Sequence, residues 1–230
     1  MKTRKGLLLA GITLFGAVFF AFKVSSTNGE LQPSQRQKLL ATVGVLLESQ
    51  HYSPKAIDDA FSKKLFTAYL KALDPEKTLF LQSDITAFKK FETSLDDEIN
   101  GAPIAFVPAV SEVYTKRLNE IILLYKEILK TPLDFSAKDS VLLENEKQEF
   151  ASTAAIRKER WRKQLAYAVL ERYADYLEQR EKNKGKKDYV AKADSTLERM
   201  SREQVLKATN KRFERIQKTF NEDQRFSTYI

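Results

Sequence analysis

The sequence has no cysteine and only one histidine, seven glycines and six prolines in 230 residues. Without cysteine there is no disulfide and no lipid anchor on an N-terminal cysteine. With a single histidine, the usual zinc sites cannot be assembled. The scarcity of glycine and proline favours long helices over many short strands joined by tight turns. Since 43% of the residues are hydrophobic and 30% are charged, the composition is that of a folded chain.

Residues 1–26 differ in composition from the rest of the chain. The positively charged "MKTRKG" precedes an apolar run of sixteen residues, Leu7 to Phe22, and the small residues Val24 and Ser26 follow. This order is typical of a secretory signal peptide, which we predict here. As a helix the run spans roughly 24 Å, a little short of a hydrocarbon core of about 30 Å. A retained signal anchor is the alternative, because Lys23 directly follows the run. The expected location is the bacterial periplasm, with an inner-membrane anchored form facing the periplasm as the alternative.

The net charge of +8 could suggest nucleic-acid binding. Four of the positive charges lie before Ser26 and no acidic residue does, so the remaining chain has a net charge of +4. Its lysines and arginines alternate with acidic residues, as they do on solvent-exposed helix faces. We therefore predict no nucleic-acid partner.

Apolar periodicity predicts an all-α bundle of about six or seven helices after the signal peptide. In chain order the predicted helices cover about residues 34–50, 54–73, 83–99, 108–130, 153–182 and 195–220, and a further helix begins near 222. Ser53 is the expected N-cap of the second helix. Residues 131–152 are expected to form a loop with a helical turn or two. The polar connector "EKNKGKK" (181–187) is the best candidate for an internal boundary.

The segment "LKALDPEKTLFLQSDI", residues 70–85, interrupts the helical pattern. Asp74-Pro75 is predicted to end the second helix, and Ser83 is predicted to start the third. Between them, Leu79 to Leu81 are expected to bury three apolar side chains. The segment is therefore predicted to be a structural corner of the fold.

The sequence predicts no catalytic, cofactor-binding or metal-binding residue. There is no glycine-rich phosphate loop and no nucleophile elbow. Ser34 with Lys38, and Ser62 with Lys63, are interpreted as helix-start and helix-surface pairs. His51 precedes a turn, where we expect a capping or surface role.

Two clusters of carboxylates, Asp58-Asp59 and Asp96-Asp97-Glu98, could suggest acid–base chemistry. The first lies near a predicted helix N-terminus, where the helix dipole stabilises negative charge. We interpret both clusters as solvent-exposed surface. Trp161 could stack on a ligand, but its helical spacing with Ile156 and Leu165 favours the edge of the core.

Residues 46–101 closely resemble the N-terminal helical domain of the tail-specific, or carboxy-terminal processing, protease family. The resemblance continues at "KTPLDFS" (130–136) and "RKERWRKQL" (157–165), and so covers nearly all of the chain after the leader. In the first stretch it is carried by His51-Tyr52, Leu65-Phe66, Tyr69-Leu70, Leu73-Asp74-Pro75, Phe80-Leu81 and Ser83-Asp84-Ile85.

Members of that family are exported serine endopeptidases that process or degrade proteins recognised by an apolar C-terminal tail. They combine a helical N-terminal domain with a PDZ domain for the tail and a protease core with a Ser-Lys dyad. Neither the PDZ carboxylate-binding loop nor the dyad can be matched to a position here. The resemblance therefore implies a non-catalytic scaffold over residues 27–230, truncated before the PDZ and protease domains.

The implied partners are the downstream PDZ and protease domains of the same polypeptide, protein substrates with apolar C-termini and an adaptor protein. Contact with a membrane is expected only through an uncleaved signal segment. A similarity between "LFTAYL" (65–70) and "RFSTYI" (225–230) supports the truncation, because a similar helix precedes the PDZ domain in the family. The alternative is a free-standing helical adaptor or a membrane-anchored interaction protein without protease activity.

Overall fold

The computed structural model describes residues 31–54, 56–135 and 148–230 and contains eight α-helices within these ranges. In chain order they are α1 Pro33–Ser49, α2 Asp59–Leu73, α3 Gln82–Phe88, α4 Leu95–Ile99, α5 Phe106–Ile128, α6 Ala154–Asn183, α7 Asp194–Thr219 and α8 Glu222–Tyr229. The extended pairing in these ranges is an isolated bridge between Leu81 and Ala151. The prediction of an all-α fold is confirmed.

The predicted signal peptide, residues 1–26, and the middle of the predicted loop, residues 136–147, lie outside the described residues. Among the helices that the structure does describe, none is both long and apolar enough to cross a membrane.

Helix α5 lies at the centre of the fold and packs against α3, α6, α7 and α8. Around it, α4 packs against both α1 and α2, and α2 also contacts α8. The side chains that α5 buries recur every three or four residues, as expected for a helix with one face in the core. They include Phe106, Val107, Val110, Tyr114, Leu118, Ile121, Tyr125 and Ile128.

Six of the predicted helices, now α1, α3, α5, α6, α7 and α8, begin within two residues of the expected positions. Thr153 caps α6, because its hydroxyl accepts the N–H of Ile156 at 3.2 Å. Asn221 caps α8 in the same way, accepting the N–H of Gln224 at 3.0 Å. These starts were predictable because the capping residue is local to the helix.

The predicted start of the second helix at Ser53 and Pro54 is wrong. Helix α2 begins at Asp59, and Asp58 is its N-cap, since the Asp58 carboxylate accepts the N–H of Phe61 at 2.9 Å. A carboxylate cap followed by a second acid in the first turn stabilises this later start. Ser53 instead lies in a turn.

The predicted continuous helix over residues 83–99 is also wrong. After α3 there is a 3₁₀ turn over Lys89–Phe91, and α4 begins only at Leu95. Ser62 of α2 explains the break, because its Oγ donates to the carbonyl of Glu92 and accepts the N–H of Leu95, both at 2.9 Å. A continuous helix would use these two groups in its own hydrogen bonds. Ser62, expected on the helix surface, is fully buried.

Helix α6 buries Trp161 and Leu165 as predicted, but not Ile156. Ile156 is 43% exposed, whereas its neighbour Arg157 is 4% exposed. The inward position is taken by Arg157 because its guanidinium has a carbonyl and a carboxylate to bind there.

The connector at residues 181–187 is the turn of a helical hairpin and not a boundary between domains. Helices α6 and α7 pack against each other on either side of it. Arg180 pairs with Asp194 at 2.5 Å across the turn. Gly185 has a φ of 81°, in the left-handed region that favours glycine, and allows the chain to reverse.

Candidate functional site: the clamped corner

The corner between α2 and α3, residues 74–81, is folded around one buried carboxylate. Asp74 directly follows α2 and is 4% exposed. Its Oδ1 accepts the N–H of Thr78 at 3.0 Å, and its Oδ2 accepts the N–H groups of Leu79 and Phe80 at 2.9 Å. A single side chain therefore satisfies three backbone donors that the corner would otherwise bury without partners.

Burial and hydrogen bonding act in opposite directions on Asp74. Burial raises the pKa of its carboxyl above the ordinary value, and the three N–H donors oppose that rise. The proline at position 75 prevents α2 from continuing. The backbone then turns back through Lys77, which has a φ of 50° and donates its N–H to the Asp74 carbonyl at 3.1 Å.

The apolar part of the corner is buried, as predicted. Leu79, Phe80 and Leu81 are 8%, 0% and 7% exposed. The Phe80 ring packs edge to face against Phe88 and Tyr114, with centroid distances of 5.8 and 6.1 Å. Burial of a large apolar side chain contributes about 1.5–3 kcal/mol before entropic costs, so these three side chains are a main source of the corner's stability.

Helix α6 clamps the corner from the other side. The indole Nε1 of Trp161 donates to the carbonyl of Thr78 at 3.0 Å. Arg157 Nη1 donates to the carbonyl of Leu79 at 2.7 Å. Just before α6, the carbonyl of Ala151 accepts the N–H of Gln82 at 2.9 Å. Trp161 is therefore a core residue, as predicted, and also a donor to the corner.

An ionic network extends from the start of α3 to α5 and α6. Asp84 accepts the N–H of Leu81 at 2.8 Å and so caps α3. Its two carboxylate oxygens also accept Nε and Nη2 of Arg117, both at 2.8 Å. Glu120 joins the two arginines, at 2.8 Å from Arg117 and 2.5 Å from Arg157. The chain's resemblance to the protease family included Asp84, but the sequence did not indicate its partners.

The arginines determine the ionisation of this network. Burial alone would raise the pKa of Asp84, but hydrogen bonds from Arg117 and the Leu81 N–H, with the charges of Arg117 and Arg157, hold it below its ordinary value. Burial alone would also raise the pKa of Glu120, but hydrogen bonds and charges from Arg157 and Arg117 outweigh burial and lower that pKa. Both carboxylates are therefore ionised near neutral pH and can act as fixed acceptors.

Glu98 is a buried capping side chain that the sequence analysis placed on the surface. It was expected on the surface with Asp96 and Asp97, but it is 4% exposed. Its Oε1 accepts the N–H groups of Ala105 and Phe106 at 2.8 and 2.9 Å, and so caps α5 from the end of α4. The turn at Gly101 brings the end of α4 beside the start of α5, so that Glu98 caps a helix that begins only eight residues after it.

The two similar motifs at residues 65–70 and 225–230 meet in the core. Tyr69 and Tyr229 pack edge to face with 5.4 Å between ring centroids. Both also contact Phe106 at the start of α5, at 5.4 and 6.0 Å. The final helix, α8, is therefore an integral part of the core, where Phe226 is 0% exposed.

Three polar atoms in this aromatic cluster are buried without a hydrogen bond of good geometry among the described residues. They are the hydroxyls of Tyr69 and Tyr229 and the Oε2 of Glu98. Burial raises the pKa of all three groups, and the charge of Glu98 raises that of Tyr229 further. Both tyrosines therefore remain neutral.

A second ionic contact joins the first described helix to the last. Arg36 of α1 forms ion pairs with Glu222 and with Asp223, the latter at 2.7 Å, and its guanidinium lies 5.7 Å from the centroid of the Phe226 ring. The carboxylate of Asp223 also accepts the N–H of Leu31 at 3.1 Å. The first described residues are thus held beside the last helix.

The remaining candidates from the sequence lie on the surface. His51 is exposed, and its Nδ1 accepts the N–H of Ser53 at 3.2 Å. Asp58 and Asp59 are exposed at the start of α2, as predicted. Within the described ranges, no group of three or more acidic, histidine or cysteine residues could hold a metal ion. The arrangement holds backbone segments in place through fixed donors and acceptors.

Comparison with known proteins gives a consistent result. The family described as the tail specific protease N-terminal domain matches residues 43–230. A relative from Haemophilus influenzae, a tail-specific protease, is 31% identical over 116 residues. That match covers 50% of this chain and 17% of the relative, so most of the relative has no counterpart in it. With the family matched over most of its length, this chain belongs to the tail-specific protease N-terminal domain family.

Proposed function

We propose that residues 27–230 are the non-catalytic helical scaffold of an exported tail-specific serine endopeptidase. In this proposal, residues 1–26 are a signal peptide that directs the chain to the periplasm. A PDZ domain and a protease domain with a Ser-Lys dyad follow in the same polypeptide. The whole protein processes or degrades proteins with apolar C-terminal tails, and the scaffold supports these domains and receives a substrate or an adaptor.

The clamped corner is the observation that carries this proposal. The side chains shared with the protease family at the corner are engaged in holding the backbone: Asp74 accepts three N–H groups and Trp161 donates to a carbonyl. Asp84 is bound by Arg117 and caps α3. Residues used in this way support a fold and leave the chemistry to another part of the protein.

The direct test is hydrolysis of a protein that ends in an apolar tail. We expect residues 27–230, purified alone, to leave this substrate intact, and the complete natural protein to cleave it. The same substrate with a charged C-terminus is the control, and the complete protein should cleave it more slowly. Cleavage by residues 27–230 alone would overturn the non-catalytic role.

The reading frame after Ile230 tests the domain organisation. We expect it to encode a PDZ domain and then a serine and a lysine in a protease core. A natural stop codon at that point would instead support a free-standing adaptor. Mass spectrometry of the exported protein tests the leader, because cleavage after Ser26 is expected and an intact N-terminus would indicate an anchored form.

A further inference from the structure

The turn between α6 and α7 carries an unusual concentration of positive charge. Residues 182–192, here called the hairpin tip, contain five lysines and one acidic residue, Asp188, and so have a net charge of +4. All of residues 27–230 together have a net charge of +4. The rest of that region is therefore neutral overall. Another basic stretch, residues 157–163, also has a net charge of +4, but Arg157 and Lys158 in it are paired with Glu120 and Glu127.

The hairpin tip lies beyond the part of the hairpin that packs into the core. The last buried side chain of α6 before the tip is Val169, and the first of α7 after it is Leu197. All five lysines of the tip are exposed. They can therefore approach another surface without disturbing the packing of the domain.

Only part of this charge is neutralised within the chain. Lys182 pairs with Glu178 at 2.5 Å and Lys184 with Glu181 at 3.4 Å, on exposed surface where such pairs are weak. In the part of the chain that the structure describes, Lys186, Lys187 and Lys192 form no ion pair. Lys186 donates instead to the amide oxygen of Asn183 at 2.7 Å.

Two apolar side chains are exposed among these lysines. Val190 is 84% exposed and Tyr189 is 37% exposed, between Lys187 and Lys192. Tyrosine has an apolar ring and a polar hydroxyl, which suits the boundary between lipid headgroups and acyl chains. Lysine can lay its apolar stem along that boundary while its ammonium group contacts phosphate.

We propose that the hairpin tip docks onto the surface of an anionic phospholipid bilayer. The lysines would contact headgroup phosphates, and Val190 and Tyr189 would enter the interface between headgroups and acyl chains. The apolar run at Leu7 to Phe22 favours this partner over nucleic acid, because it predicts that the chain is delivered to a membrane. The proposal adds a membrane contact to the one expected from the leader alone.

The absence of cysteine allows the tip to be probed at a single position. Ala191→Cys in the full chain, labelled with an environment-sensitive fluorophore, reports on the tip separately from the leader. We expect its emission to rise and shift to the blue with vesicles of phosphatidylglycerol and phosphatidylcholine, and to change little with pure phosphatidylcholine. Added salt should weaken the response, because it screens the charges.

A charge-reversed tip gives the decisive comparison. Lys186→Glu, Lys187→Glu and Lys192→Glu, combined in the labelled chain, should raise the vesicle concentration for half-maximal response by at least roughly tenfold. The matched control reverses three exposed lysines of α2, Lys63, Lys64 and Lys71, which changes the net charge equally. We expect the control to respond like the parent chain, and circular dichroism to be unchanged in both.

Four results would overturn the proposal. The first is no response to anionic vesicles, and the second is an equal response to neutral vesicles. The third is an equal loss of response in the α2 control. The fourth is a response to a single-stranded oligonucleotide or to an acidic protein when vesicles give no response. The second would show that the tip's response does not depend on lipid charge, and the last would assign the tip to another anionic partner.

Discussion

The indole Nε1 of Trp161 donates to the carbonyl of Thr78 at 3.0 Å, between residues that lie 83 positions apart. This bond connects two of the stretches that resemble the protease family, residues 46–101 and 157–165. The same pair of segments is joined again by Arg157 and the carbonyl of Leu79. These two stretches therefore form one three-dimensional contact, in which α6 holds the corner against α5.

Removing the carboxylate of Asp74 should destabilise the domain strongly. Asp74→Ala leaves three buried N–H groups without their acceptor, and we expect the free energy of unfolding to fall by about 2–5 kcal/mol. Asp74→Asn retains one acceptor oxygen and should lose less. Urea unfolding measures both, with the exposed Asp97→Ala as a control that changes stability by less than about 0.5 kcal/mol. Equal stability of all three variants would contradict the role of Asp74.

The apolar side chains of the corner should also be essential for stability. We expect Phe80→Ala to lower the free energy of unfolding by about 3–5 kcal/mol and Leu79→Ala by about 2–5 kcal/mol, with lower melting temperatures, because each leaves a cavity. Leu123→Ala, at a position that is 72% exposed, is the matched control and should have little effect. Unchanged melting temperatures in the corner variants would refute the burial of this segment in solution.

Glu98 should make stability depend on pH in one direction. Burial raises its folded-state pKa, so the stability it contributes is present below its unfolded pKa, about 4.3, and is lost as pH rises through the folded pKa. Glu98→Gln keeps an acceptor for the two N–H groups of α5 and cannot ionise. We therefore expect the stability of this variant relative to the natural chain to increase with pH. Urea unfolding across the pH range checks this, and a constant difference would contradict it.

Asp84 should make stability depend on pH in the opposite direction to Glu98. Its folded-state pKa is lowered, so its contribution is present above its unfolded pKa, about 3.9, and is lost as pH falls through the folded pKa. Asp84→Asn should therefore be less stable than the natural chain at neutral pH, and the gap should narrow in acid. The same titration of unfolding measures it. A gap that widens as pH falls would show that Arg117 does not stabilise the ionised carboxylate.

Local signals in the sequence predicted much of the fold. The starts of α6 and α8 follow from capping residues next to the helix, and the end of α2 follows from Asp74 and the proline after it. The break between α3 and α4 could not be predicted in this way. It depends on Ser62, which bonds Leu95 from 33 positions away. For a similar reason, Ile156 was predicted to face the core from α6, whereas its neighbour Arg157 does so. Arg157 is buried because it binds the Leu79 carbonyl and Glu120, which only the folded chain brings to it.

The sequence by itself determined the all-α class, the positions of most helices, the burial of the corner and the membership of the family, because helix periodicity, caps and apolar runs act between near neighbours. The tertiary structure alone decided which polar groups are buried together. Asp74 accepts N–H groups four to six positions further along the chain, Glu98 accepts N–H groups seven and eight positions away, and Asp84 binds Arg117 from 33 positions away. The tertiary structure also showed that the five lysines of the hairpin tip are all exposed, because the sequence does not show which lysines the packing of α6 and α7 leaves in solvent.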